Sequence, residues 1–170
     1  GVIWVGAEAG QDSVTRDNGK TWKNVTPKDL VGARIQTVED SPHMKGRAYI
    51  AGYRFMREHD LKPYIFKTTD FGATWSSATG DMPDGMVVNA LVEHPRNAKL
   101  LFAGTEFGLF YTVDGGARWT HARGNLPRVP VDDIVTMLMS DYGVELYGNV
   151  IMVTPAFAKE KPEAVKGFVK

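Results

Sequence analysis

The chain has 170 residues, of which 43% are hydrophobic and 24% charged, a balance typical of globular rather than disordered proteins. Twenty basic and twenty acidic residues cancel, so no charge footprint favours nucleic acid or an anionic membrane surface. The absence of cysteine excludes disulfides, thiolate metal sites and cysteine nucleophiles. Redox compartment stays open, because a chain without thiols suits either environment. No apolar run approaches the roughly 18 residues that a membrane helix needs. The first residues, Gly1 to Val5, already carry a strand pattern without an initiator methionine, which reads as a fragment of a longer protein.

Taken in chain order, Val2 to Val25 reads as a sheet without its first strand. The most complete unit follows. Arg34 to Asp40 and Arg47 to Gly52 are β-runs joined by the turn Ser41 to Gly46, Pro63 to Thr69 is a third run, and Thr74 to Ala78 a fourth. The next unit repeats this with Val87 to Glu93, Leu100 to Gly104, Phe107 to Val113 and Arg118 to Ala122. Val131 to Thr136 begins another copy. Beyond it the texture changes: Pro162 suits the first turn of a helix from Glu163 to Lys170, with Ala164, Val165 and Phe168 at helical spacing.

One pattern, Thr-x-Asp-x-Gly-x-x-Trp, punctuates these units three times: Thr15, Asp17, Gly19 and Trp22; Thr68, Asp70, Gly72 and Trp75; Thr112, Asp114, Gly116 and Trp119. The tryptophans are 53 and then 44 residues apart, the period of an array built from one four-stranded sheet per repeat. Asp and Gly two apart suit a tight turn between the third and fourth strands, the carboxylate accepting turn N–H groups and glycine supplying positive φ. Each tryptophan is expected to cover its turn and pack between neighbouring sheets, so removing a buried Trp75 should cost about 3 to 5 kcal/mol. The fold expected is all-β, a partial propeller of two full four-stranded blades and two partial ones over residues 1–136, followed by an α/β tail over 137–170.

The repeated octapeptide resembles the Asp-box of bacterial-neuraminidase-type repeats, found in sialidases and in sortilin-type propellers. Segments such as Val25-Thr-Pro27, Asp40-Ser-Pro42-His43, Ala103-Gly-Thr-Glu106 and Gly124-Asn-Leu-Pro127 are similar to a sortilin-like bacterial group often described loosely as glycosyl hydrolases. The resemblance covers residues 2–136 and implies a non-catalytic extracytoplasmic scaffold, periplasmic or secreted. The alternative it carries is a sialidase-like hydrolase. Sialidases use an arginine cluster, a tyrosine nucleophile with a glutamate partner and an aspartate acid/base; no motif places any of these here. Tyr49, Tyr53, Tyr64 and Tyr111 read as sheet packing, Arg34, Arg47, Arg54 and Arg57 are not brought together by spacing, and no catalytic residue is expected. Neither a metal site nor a cofactor is expected, since His43, His59, His94 and His121 lack ligand spacing and each Asp-turn offers one carboxylate.

In such a blade the second-to-third turns and the connections between blades emerge on the rim opposite the Asp-turns. That rim collects Glu8, Glu106 and the insertion Tyr53 to Lys62, and Glu8, Arg54, Phe55, Arg57, Glu58, His59 and Glu106 are the candidate contacts for a protein, peptide or glycan. The competing reading is a solvated hairpin extension. Separately, Met137 to Pro155, with its Tyr147-Gly-Asn149 run, and the following Glu160-Lys-Pro162-Glu-Ala-Val165 helix resemble part of a periplasmic solute-binding protein of the nitrate, sulfonate, taurine and thiamine-precursor group. That resemblance implies a second alternative, small-solute capture for an ABC importer, and a chimeric chain.

Overall fold

Alternating apolar and polar residues with β-branched and aromatic side chains favour strands through most of residues 3–121, and turn residues punctuate them. The computed structural model describes residues 1–7, 10–54 and 59–136. Among the described residues 42% are strand and 2% helix, an all-β fold consistent with a partial propeller. Contacts group Gly1–Ile134 into one unit and Val135–Lys170 into a second. The expected tail strand and helix lie outside the described residues.

The first sheet has three strands, β1 (Ile3–Ala7), β2 (Gln11–Thr15) and β3 (Lys23–Asn24), in sequence order. A short 3-10 turn, Lys28–Leu30, leads to the second sheet of β4 (Arg34–Asp40), β5 (Ala48–Arg54), β6 (Asp60–Thr68) and β7 (Ser76–Ser77). The third holds β8 (Val88–Glu93), β9 (Leu101–Thr105), β10 (Gly108–Thr112) and β11 (Thr120–His121). All neighbours run antiparallel in sequence order. Each four-stranded meander therefore puts its second-to-third turn at one end and its other two turns at the opposite end, and β1, β2 and β3 of the first sheet correspond to strands two, three and four of the others.

Sheets stack face to face, which explains why β5 is buried at every residue from Ala48 to Tyr53 while the hairpin strands of an isolated sheet would alternate. The larger apolar cluster joins Tyr49 and Ile65 of the second sheet to Val88, Leu91, Leu101, Phe110 and Trp119 of the third. Equivalent irregularities interrupt β4 between Ile35 and Thr37 and β8 between Val88 and Ala90, so that Gln36 and Asn89 are the extra residues of two matching bulges.

Three expectations are corrected here. The fourth runs are shorter than Thr74 to Ala78 and Arg118 to Ala122: β7 and β11 pair over two residues each, because the preceding turn ties up the N–H groups of Thr74 and Arg118 with side-chain carboxylates. Val131 to Thr136 forms no strand, having no neighbouring strand among the described residues to pair with. The insertion begins later than Tyr53, since Arg54 pairs with Asp60 across a register shift that extends the β5–β6 hairpin.

Candidate functional site

The end of the sheets that carries the repeat turns is occupied with its own hydrogen bonds. In the second turn Thr68 Oγ1 donates to Asp70 Oδ1 at 2.8 Å and accepts from Gly72 N–H at 2.9 Å, while Thr74 gives Asp70 its N–H at 2.9 Å and its hydroxyl at 2.6 Å. The first turn repeats these contacts through Thr15, Asp17, Gly19 and Thr21. In the third, Arg118 replaces the threonine and contributes its N–H at 3.0 Å with a guanidinium contact at 3.6 Å. The Thr21 and Thr74 hydroxyls, chiefly, hold Asp17 and Asp70 down to about 2; the Arg118 N–H leads the same lowering at Asp114. Positive φ is shared by two residues of each turn: Asn18 and Gly19, Phe71 and Gly72, Gly115 and Gly116. Glycine has a second reason at Gly72, where an added Cβ would lie 2.6 Å from Val25 Cβ of the preceding unit.

The three tryptophans differ in environment. Trp119 is 7% exposed and donates Nε1–H to Ala78 O at 3.0 Å; Trp75 is partly buried and donates to Val25 O at 2.6 Å; Trp22 is 47% exposed. Expected burial is therefore met at Trp119, reduced at Trp75 and absent at Trp22, since each indole rests on the preceding sheet and Trp22 has none among the described residues.

Between the second and third sheets, near these turns, lies a buried polar network that the sequence reading did not single out. Glu93, 2% exposed, accepts from Ser41 Oγ, from Tyr49 OH at 3.0 Å and from Arg47 Nη1 at 3.4 Å, and its own N–H donates to Glu39 Oε1 at 3.1 Å. Burial first, and then the Glu93 charge, push the Tyr49 phenol up; burial likewise raises Glu39. His43 Nε2 lies 2.8 Å from His94 O, linking the matching turns of the two sheets. A tyrosine beside a glutamate and an arginine has the composition of a glycosidase centre. Tyr49 is fully buried, so this trio ties sheets together and presents no hydroxyl to a substrate. The legible signal was parity: Glu93 falls on the same face of β8 as Val88 and Leu91 once the bulge is counted. Asp12 was also missed. It is 2% exposed, both carboxylate oxygens lack a hydrogen-bond partner, and burial pushes it up to about 7.

At the opposite rim, Arg54 Nη1 donates to Asp29 O at 3.0 Å, anchoring the hairpin to the connection before β4. Asp60 beside it is held below the usual carboxylate range by the Tyr64 hydroxyl at 2.5 Å and the Lys62 N–H at 3.0 Å. His59 is exposed and has φ of 54°, a left-handed conformation uncommon outside glycine. Glu106 is exposed on the turn between β9 and β10, where the Asn89 amide reaches both Glu106 Oε1 at 3.2 Å and Asp132 Oδ1 at 3.3 Å. Glu8, Phe55, Arg57 and Glu58 lie outside the described residues. Arg47 belongs to the Glu93 network and Arg54 to the far rim, so these two arginines are not brought together. Among the described residues no three His, Asp or Glu side chains group as metal ligands, and no helix is long and apolar enough to cross a membrane.

No protein-family model matches this chain, and no curated protein matches it in sequence. Its fold is similar to the GH74 xyloglucanase from Xanthomonas campestris, with a TM-score of 0.58 at 19% identity over 71% of this chain and 19% of that one. Similar too are the GH74 enzyme of Niastella koreensis, at 0.57 and 18% over 74% and 20%, and YCF48 bound to D1 peptide, at 0.51 and 23% over 69% and 35%. These neighbours are propeller proteins, and the chain is a stretch of β-propeller. It spans about a fifth to a third of the lengths of these structures.

Proposed function

We propose that this chain is part of an Asp-box propeller of the sortilin-like group, acting outside the cytoplasm as a non-catalytic scaffold. Its ligand, a protein, peptide or glycan, is held at the rim opposite the repeat turns, by Arg54, His59 and Glu106 together with Glu8, Phe55, Arg57 and Glu58. The scaffold comprises residues 1–136, and 137–170 is a separate α/β tail. One observation carries this reading: polar groups at the two ends of the sheets are used differently. Asp17, Asp70 and Asp114 spend their oxygens on their own turns, whereas Glu106 and His59 stand exposed on turns anchored from behind by Asn89 and Arg54. Left-handed backbone at His59 is a local strain of the kind that recognition loops hold. A propeller of similar fold, YCF48, has been seen with a peptide bound.

The test is a peptide and glycan array probed with the 170-residue chain and with a variant carrying alanine at 54, 55, 57, 58 and 59. Capture of a defined ligand class by the parent, lost in the variant while its melting curve is retained, is the expected result. Undiminished capture by the variant removes the rim as the site, and release of free sugar from the glycans would replace the scaffold with a hydrolase.

A further inference from the structure

The second and third sheets meet at a junction that the chain closes with its own residues. Beyond β7 it runs through Ala78, Thr79, Gly80, Asp81 and Met82 past the repeat turn of the next sheet. Gly80 sits so close to that turn that an added Cβ would lie 2.5 Å from Ala117 O. One residue further, Asp81 Oδ1 accepts the Trp119 N–H at 2.6 Å, and Met82, 6% exposed, joins Trp119 in the apolar cluster of the junction. Parity leaves that N–H unused by its own sheet. Ala122 N–H donates to Leu109 O, and Phe110 and Tyr111 pair with His121 and Thr120, so the Trp119 N–H points outward from the sheet.

The junction between the first and second sheets has the same frame with different residues at those places. Val25 corresponds to Ala78, since their N–H groups donate to Asp12 O and Ile65 O at the same 2.8 Å and their carbonyls accept from the Trp75 and Trp119 indoles. Counting on from them, Pro27 stands for Gly80, Lys28 for Asp81 and Asp29 for Met82. A proline ring cannot make the close approach of Gly80, and Asp29 is exposed where Met82 is buried. A cavity of about 470 Å³ lies here, with Lys23, Lys28, Asp29, Phe66, Ala73 and Trp75 in its lining. Another of about 330 Å³ adjoins it, sharing Lys23 and Ala73 and adding Arg16 and Phe71. The Trp75 N–H points outward from its sheet by the same parity. Lys28, in the place of Asp81, carries donors and no acceptor.

We propose that this groove binds an acidic peptide, one of whose carboxylates takes the place that Asp81 fills in the next junction, accepting from the Trp75 N–H and pairing with Lys28. The chain supplies the template for its ligand, because Gly80 to Met82 is itself a peptide segment laid across the equivalent position, a carboxylate followed by an apolar side chain. With Lys28 in place of the carboxylate, the first junction offers a donor and a cation together, the pair that a charge-assisted hydrogen bond needs. The surrounding charge agrees. Arg16, Lys23 and Lys28 are all exposed, the Arg16 guanidinium lying 4.1 Å from the centre of the Phe71 ring. Of the two carboxylates in the linings, Asp70 is engaged by its own turn, which leaves Asp29 alone against three cations. Phe66, Ala73 and Trp75 offer apolar contact to the residues beside the carboxylate. The groove lies beside the second repeat turn and is independent of the opposite rim, so either site can fail without the other.

The experiment is an amide NMR titration of the 170-residue chain with a capped Gly-Asp-Leu-Asp-Leu-Gly peptide, with its asparagine counterpart and with a heparin fragment. The aspartate peptide is expected to move the Trp75 amide resonance downfield and slow its hydrogen exchange, and to bind more than about tenfold tighter than the asparagine peptide. Added salt should weaken it. Lys28→Gln should lower its affinity by up to about fivefold, as for an exposed ion pair. Lys28→Asp, which installs the arrangement of the next junction, should abolish binding and protect the Trp75 amide with no peptide present. Protection of that amide in the unliganded parent chain overturns the proposal, because the acceptor then comes from the chain itself. So do equal binding of the two peptides, binding that both Lys28 variants leave unchanged, preference for the heparin fragment, or no binding at millimolar peptide.

Discussion

The first and third repeat turns share the Thr-x-Asp-x-Gly-x-x-Trp pattern and the hydrogen bonds of its threonine, yet their tryptophans are 47% and 7% exposed. Thr15, Asp17 and Gly19 close their turn with the same contacts as Thr112, Asp114 and Gly116. Turn geometry is therefore a local property, complete within eight residues. Burial of the indole is not; it is delivered by the neighbouring sheet through Ala78 O at Trp119, and among the described residues no sheet plays that part for Trp22. A repeat protein of this kind divides its stability between units and the junctions between them.

The largest test of that division is Trp119→Ala, expected to cost about 3 to 5 kcal/mol in denaturant melts, because it removes a buried ring and strands the Ala78 carbonyl. Trp75→Ala should fall between this and Trp22→Ala, which should change the stability of the chain by less than about 0.5 kcal/mol, as for an ordinary surface site. Equal losses at all three positions would break the comparison. Next is Glu93→Ala, which leaves Tyr49, Ser41 and Arg47 without their common acceptor in the second-to-third junction; a loss of about 3 kcal/mol is expected, read as a drop in the urea midpoint.

Asp12 sharpens the contrast between junctions, since it occupies in the first sheet the place that Ile65 fills in the second, as their shared bonding to Val25 N–H and Ala78 N–H shows. Its folded value is raised from 3.8 to about 7, so the neutral form suits the fold and stability falls as pH climbs through that window. Asp12→Ile should stabilise the chain by roughly 2 kcal/mol above pH 7, with the gain shrinking as pH is lowered towards 4; a pH-independent gain would refute a buried titrating carboxyl. Smallest is the opposite case. Asp17 and Asp70, lowered to about 2, stabilise above pH 4 and lose that effect as pH falls from 4 towards 2. Asp70→Asn should flatten this acid limb of the melting profile.

Much of the fold was legible because strands and turns are short-range: the octapeptides located every third-to-fourth turn, and β4, β5, β8, β9 and β10 lie close to their expected spans. What misled was edge position. Residues 131–136 have a first-strand pattern, and among the described residues no strand pairs with them. The end of the sheets on which Arg54, His59 and Glu106 lie was legible as topology, with Arg54 closing β5 and His59 and Glu106 on second-to-third turns, while Asp29 O and Asn89, which bond there, come from other segments and no local spacing announced them.

From sequence alone follow the repeat, its period, the turn chemistry and the all-β class, since each rests on residues within a few positions of one another. Tertiary structure decided which copies of an identical residue are buried, and that Glu93, which lies outside every motif, joins the motif residue Trp119 in tying the second and third sheets together. Those outcomes depend on what lies across an interface from a residue some 40 to 50 positions away in the chain, as Trp75 is from Val25 and Glu93 from Tyr49, and no local pattern carries that information.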